Sequence, residues 1–276
     1  MKNNLLPIIF FFFFIGKSQT HRFMYDVQFK KDSASNILTK ENYILDIHSK
    51  DVLYYSNDFF VADSLIMNNI PFPDDMKLKT SNIISYQVGN DNFDEYDILQ
   101  NNVLKLQTTD SQNWRLSDEK KQIKDITLQK ATTDWGGREW VAWFSSEIPF
   151  PVGPYKFHGL PGLIFEIYDT KSNYRFELVK SMKINDIVDN QFIKMTKQKG
   201  IPVSWEKYKL TKMKYYESPI DFIRNGVSVS KNDEFFLNDG TKVNSANKRE
   251  INQHLRSVIK KYNNPIELNK KINYPK

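Results

Sequence analysis

The chain has 276 residues, a formal charge of +6, 40% hydrophobic and 14% aromatic residues, and no cysteine. The missing cysteines exclude a disulfide framework, a thiolate metal site and a lipid on an N-terminal cysteine, so the fold must rest on its apolar core. The basic excess is spread along the chain, with Lys207, Lys209, Lys212 and Lys214 the main local cluster. Such a cluster reads as a solvated helix face, and without stacking motifs or a recognised fold it does not indicate nucleic-acid binding.

Residues 1–18 read as a secretory signal. Lys2 precedes a nearly unbroken apolar run from Leu5 to Ile15, and Gly16-Lys17-Ser18 supplies small residues for cleavage after Ser18 or Gln19. The run is too short to span a bilayer, and no stop-transfer segment follows it. We therefore expect a soluble periplasmic or secreted protein with one domain over residues 19–276.

Phe23, Tyr25, Val27 and Phe29 alternate, as do Tyr43, Leu45 and Ile47, with Val52–Tyr55 as a return strand. This period of two predicts antiparallel strands buried on one face. Phe59 to Leu65 reads as a short helix or edge piece, and Pro71-Phe-Pro73 with Asp74-Asp75 as a loop. Strands are expected over Ile83–Val88 and Ile98–Leu106, with a further piece near Trp114. Asp91-Asn-Phe-Asp94-Glu95 reads as an acidic loop lacking the calcium-loop pattern, and Asp118–Gln122 as a turn. Ile126–Asp134 and Arg138–Phe144 flank Trp135-Gly136-Gly137 as a hairpin with a Gly-Gly turn. Leu163–Asp169 and Tyr174–Met182 form another. Helical spacing appears late, from an N-cap at Ser204 to Tyr216 and from Ser245 to Tyr262, where Asn263-Asn264-Pro265 stops it. The fold class expected is mainly β with some α (α+β): a curved antiparallel sheet or half-barrel, with its clearest helix near the C-terminus.

Five of the ten glycines and four of the eleven prolines fall between Gly136 and Gly162. They converge on Gly153-Pro154-Tyr155-Lys156-Phe157-His158-Gly159-Leu160-Pro161-Gly162-Leu163-Ile164. Leu160-Pro161-Gly162-Leu163 has the residues of a type II turn, placed to feed a buried strand. His158 has a rigid mount, but no nucleophile motif lies near it, and a structural histidine donating to a loop carbonyl is the preferred reading. The four histidines never approach metal-ligand spacing, and Glu166 and Asp169 fall on opposite faces of a regular strand, so neither metal nor cofactor is expected. Trp140 and Trp143 also fall on opposite faces, one for the core and one free to meet a ligand. Trp140, Trp143, Tyr155 and His158 are the candidate binding residues. Gly153, Pro154, Gly159, Leu160, Pro161, Gly162, Leu163 and Ile164 form the structural motif.

Gly159-Leu-Pro-Gly-Leu-Ile164 resembles the motif that names the GLPGLI family, exported proteins of Bacteroidota-type bacteria. Gln129-Lys-Ala131, Gly137-Arg138, Ala142-Trp143-Phe144, Glu147-Ile-Pro149, Gly153-Pro154, Phe157 and Asn264-Pro265-Ile-Glu267 extend the resemblance. Leu128 stands where many relatives of the family carry a cysteine, so the resemblance implies no cysteine-dependent role here. The family has no established activity, so the resemblance implies location and no catalytic residue. The function expected is non-enzymatic binding of an envelope partner or an apolar ligand, accessory to outer-membrane transport. The alternatives are a hydrolase using His158 with carboxylates supplied by the fold, and a structural or adhesive accessory protein.

Overall fold

The structure is a computed structural model that describes residues 19–73, 82–185, 190–224, 234–237 and 240–275. The expected signal and the Asp74-Asp75 pair lie outside the described residues. One twelve-stranded sheet dominates. It contains β1 (Thr20–Phe29), β2 (Thr39–His48), β3 (Asp51–Ser56), β4 (Asn82–Gln87), β5 (Asn92–Leu99), β6 (Asn102–Thr109), β7 (Arg115–Ile123), β8 (Ile126–Trp135), β9 (Arg138–Ser145), β10 (Leu163–Asp169), β11 (Tyr174–Ile184) and β12 (Gly200–Pro202). Two meanders meet where β1 pairs with β11, and the order runs β12-β6-β5-β4-β3-β2-β1-β11-β10-β9-β8-β7. All pairings are antiparallel except β12 with β6, and the sheet does not close into a barrel. The expected mainly β architecture is the observed one.

The alternating residues do what their period predicts. Phe23, Tyr25, Val27, Leu45, Ile47, Val52, Tyr54, Ile84 and Phe93 share a concave face with Trp140, Phe144, Ile164 and Ile167 from the other meander. The opposite face of β2 to β6 carries a smaller core of Ile44, Tyr55, Phe59, Ile83, Tyr96 and Val103. It is covered by α1 (Asn57–Met67) and α2 (Gln191–Gln198). α3 (Trp205–Glu217) begins at Ser204, whose hydroxyl accepts from the Lys207 N–H. α4 (Pro219–Arg224) and α5 (Lys248–Lys261) pack on each other beside the short strands β13 (Phe235–Phe236) and β14 (Lys242–Val243). The late helix is thus three residues shorter at its start than its spacing predicts. A strap over residues 263–275 follows it.

Three expectations are corrected. The acidic run at Asp91–Glu95 is mostly strand β5, and the apolar run from Ile98 splits at Gln100 (φ 57°) into the β5–β6 hairpin. Its charges hid the strand because they occupy both faces, and each side chain meets a lysine: Asp94 meets Lys105, Glu95 meets Lys156 and Asp97 meets Lys212. Asp118–Gln122 is not a turn but the middle of β7, an edge strand without a buried residue. A strand with no buried face shows no alternation, and its charges and irregular register suit a sheet edge. Finally, Leu160–Leu163 is not a type II turn. The Gly162 N–H bonds back to Leu160 O at 2.8 Å, a three-residue turn centred on Pro161, while the Leu163 N–H crosses to Ile148 O at 3.0 Å.

Candidate functional site

The segment between β9 and β10 folds back on itself into the concave face of the sheet. Val152 and His158 form an isolated bridge, and the Gly159 N–H donates to Pro151 O. Gly162 has φ 155°, and a Cβ there would lie 2.0 Å from Ser145 O, so the chain re-enters the sheet through a gap that admits only glycine. Phe157 and Leu160 are buried against the core. The Gly136-Gly137 pair has two positive φ values, 63° and 76°, which a two-residue hairpin of this twist requires.

Lys156 is the side chain that this segment positions most emphatically. It is fully buried, and its Nζ lies 2.5 Å from Glu95, 2.8 Å from Glu267 and 3.1 Å from Asp110. Thr108 Oγ1 is a fourth partner at 3.2 Å. Burial by itself lowers the lysine's affinity for its proton, but Glu95, Glu267 and Asp110 more than offset this and hold the ammonium above the ordinary lysine range. Burial likewise raises the Asp110 carboxyl, yet Lys156 and Lys270 bring it below its ordinary value. The three carboxylates have oxygens within 4.8 Å of one another, a spacing that could hold a cation. An ammonium already occupies that position, so the cluster serves as an anchor.

What it anchors is the strap. Glu267 pairs with Lys156 and Lys270 and accepts from the Tyr155 hydroxyl at 2.7 Å. Arg138, buried at the start of β9, donates to Ile266 O (2.9 Å), Pro265 O (2.7 Å) and Asn264 Oδ1 (2.8 Å), and pairs with Asp169 at 3.0 Å. Asn264 donates in turn to Lys30 O. A Cβ on Gly136 or Gly137 would press on residues 267–269, so the glycine hairpin also makes room for the strap.

Under the strap lies a chamber of about 560 Å³. Its floor is the concave face of the sheet, with Val27, Phe29, Tyr43, Tyr54, Ile84 and Leu106. Its walls are Trp205, Tyr208, Lys212 and Tyr215 of α3, Ile259 of α5 with Tyr262 just beyond it, and strap residues to Tyr274. Nine of its thirty lining residues are tyrosines and seven are valine, leucine or isoleucine, so the wall is amphiphilic rather than oily. Asp97, nearly buried, pairs with Lys212 (2.6 Å) and accepts from Tyr208 (2.7 Å). That contact and burial raise the Tyr208 hydroxyl pKa, burial being the larger cause.

The four candidate binding residues are placed in different surroundings. Tyr155 lines the chamber, in a left-handed backbone conformation (φ 57°) that aims its hydroxyl at Glu267. Trp140 is fully buried, donates to Trp135 O and meets Phe157 edge-on at 4.7 Å. Trp143 lies on the opposite face of β9 with the Lys121 ammonium 4.4 Å over its ring. His158 is buried, with Nδ1 2.8 Å from Lys156 O and Nε2 2.9 Å from Asp91 Oδ1. Its backbone is held by Gln112 and Trp114. Glu166 and Asp169 fall to different partners, Arg175 and Arg138 respectively. Sequence reasoning missed Lys156, Glu95, Asp97, Asp110 and Arg138. The only signal for Lys156 was a lysine between two aromatic residues inside an otherwise constrained, apolar run.

Residues 107–166, which span the motif, match a family model described as a protein of unknown function (Porph_ging). No curated protein matches the chain. Two solved structures, of PNGF-II in the C2 and P21 space groups, align with a TM-score of 0.49 each at 15% and 14% identity. The alignments cover 68% of this chain and 31% and 32% of those chains, so this protein spans about a third of their length. Among the described residues no helix is long and apolar enough to cross a membrane.

Proposed function

We propose that this is an exported, non-enzymatic binding protein of the GLPGLI type, a single domain after residue 18, that holds a small organic ligand in the chamber beneath the strap. The tyrosine-rich chamber carries the reading. Its volume falls within the range of small-molecule sites, and several of its many polar groups, such as Asp97, Tyr208 and Glu267, are fixed by partners. The apolar run after Lys2 and the absence of cysteine support export without a lipid anchor. His158 has both ring nitrogens engaged, Nδ1 by Lys156 O and Nε2 by the Asp91 carboxylate, with Phe93 edge-on to its ring, and we read it as a group that ties the segment down. No catalytic residue, metal or cofactor is assigned.

The test is titration with the amphiphilic anionic fluorophore 1-anilinonaphthalene-8-sulfonate, whose aromatic rings report an enclosed apolar surface. Saturable binding at one site is expected, lost in Leu106→Trp, which fills the chamber, and kept in Trp143→Ala on the outer face. Binding that ignores Leu106→Trp refutes the chamber as the site.

One observation favours a partner as well. Phe60, Val61, Met67, Ile70 and Phe72, on and just after α1, leave large apolar surfaces exposed, as protein-binding faces do. An envelope partner, for example of an outer-membrane transport system, would dock here. A partner retained by wild type and lost with Met67→Asp/Phe72→Asp supports this, and equal retention refutes it.

A further inference from the structure

We infer that the ligand of the chamber is a neutral saccharide rather than an acyl chain, an inference that rests on the binding reading above. Three observations lead there. The first is the wall itself. An acyl chain offers no hydrogen bond, so a site made for one is aliphatic throughout; here tyrosines outnumber aliphatic residues. A sugar ring has an apolar C–H face and a hydroxyl rim. It fits aromatic rings bordered by hydroxyls, amides and carboxylates.

The second observation is charge. The lining carboxylates Glu95, Asp97 and Glu267 are each paired with a lysine, and of the three lining lysines Lys212 and Lys270 each pair with a carboxylate while Lys31 is exposed to solvent. A strongly charged ligand would have to compete with those pairs. A neutral polyol can add hydrogen bonds to them, since Glu95, Lys212 and Lys270 keep side-chain exposures of 17%, 21% and 26%.

The third is Tyr54. It projects from the concave face of β3, is 3% exposed and stacks on Tyr43 at 5.1 Å. It lines the chamber, and its hydroxyl has no hydrogen-bond partner among the described residues. The hydroxyl oxygen itself keeps some accessible surface, and the chamber is the space from which a partner can come. A sugar hydroxyl both donates and accepts, so it satisfies Tyr54 whichever way the phenol turns.

The test uses the full mature chain, calorimetric titration with neutral gluco-, manno-, xylo- and N-acetylglucosamine oligosaccharides of two to four units, and sodium laurate as the acyl-chain comparison. At least one saccharide series is expected to bind saturably. Tyr54→Phe should weaken it about tenfold, the effect of one well-made hydrogen bond, while leaving the melting temperature unchanged or higher because no partner is lost. Trp205→Ala, at the α3 wall, should weaken the same saccharide. Laurate binding without any saccharide overturns this inference and leaves the binding reading standing. Binding of neither, with no 1-anilinonaphthalene-8-sulfonate signal, overturns both. Saccharide binding that Tyr54→Phe does not change overturns the role given to Tyr54.

Discussion

Lys156→Met keeps the apolar stem of the side chain and removes its charge. In the folded protein this strips the ammonium from three carboxylates at 2.5–3.1 Å and from Thr108. Breaking a buried ion pair by removing one partner costs about 3–5 kcal/mol, because the remaining charge stays desolvated. Here Lys270 still reaches Glu267 and Asp110, and Glu95 and Asp110 are partly exposed to water, which places the loss near the lower end, about 3 kcal/mol. For a domain of this size that lowers the melting temperature by roughly 6–12 °C. The pH dependence sharpens the test. Lys156 is held above its ordinary 10.5, so its contribution is complete below that pH and is lost only as pH rises through the higher folded value. Asp110 is held below its ordinary 3.8, so its contribution is present above that pH and is lost as pH falls through the lower folded value. In the variant the clustered carboxylates repel one another, and protonation relieves them. The gap between variant and wild type should therefore be widest near pH 7 and narrow toward pH 4. Thermal melts by circular dichroism at half-unit steps measure it. A gap under about 1 kcal/mol at pH 7, or one that does not change with pH, would falsify the anchor.

Three more outcomes can be checked. Gly162→Ala should cost more than about 3 kcal/mol, since its Cβ meets backbone at 2.0 Å, whereas Gly89→Ala, with positive φ and open space, should cost about 1 kcal/mol; denaturant melts of both separate collision from backbone strain. Arg138→Ala should free the strap, seen as faster amide exchange over residues 263–270 and new proteolytic cuts there, with exchange in β1 to β3 little changed. In Glu267→Gln the Lys156 and Lys270 contacts weaken together, and the loss of stability should be less than additive with that of Lys156→Met, because the two residues share one contact.

The strands with one wet and one buried face were legible, because alternation encodes that situation directly. β5 and β7 were not, for opposite reasons. β5 carries carboxylates inward to lysines far away in sequence, and β7 buries nothing at all. α2 is eight residues long and capped by Asn190, too short for its period to stand out. The glycine-proline run leads into the buried strand β10 as expected, yet its turn type was misread, since the Leu163 N–H is claimed by Ile148 rather than by the turn itself. The chamber was illegible in principle. Its lining runs from Val27 to Tyr274, and no local pattern records that these residues meet.

The junction of the two meanders has a kinetic consequence. β1 pairs with β11 across more than 140 residues, and Asn264 ties back to Lys30 across 234. Neither half can bury its edge until the other has been synthesised, so closing those loops comes late and slowly. Until then the chain presents open strand edges and an uncovered aromatic face. That interval is when it is most exposed to aggregation and most dependent on whatever escorts it.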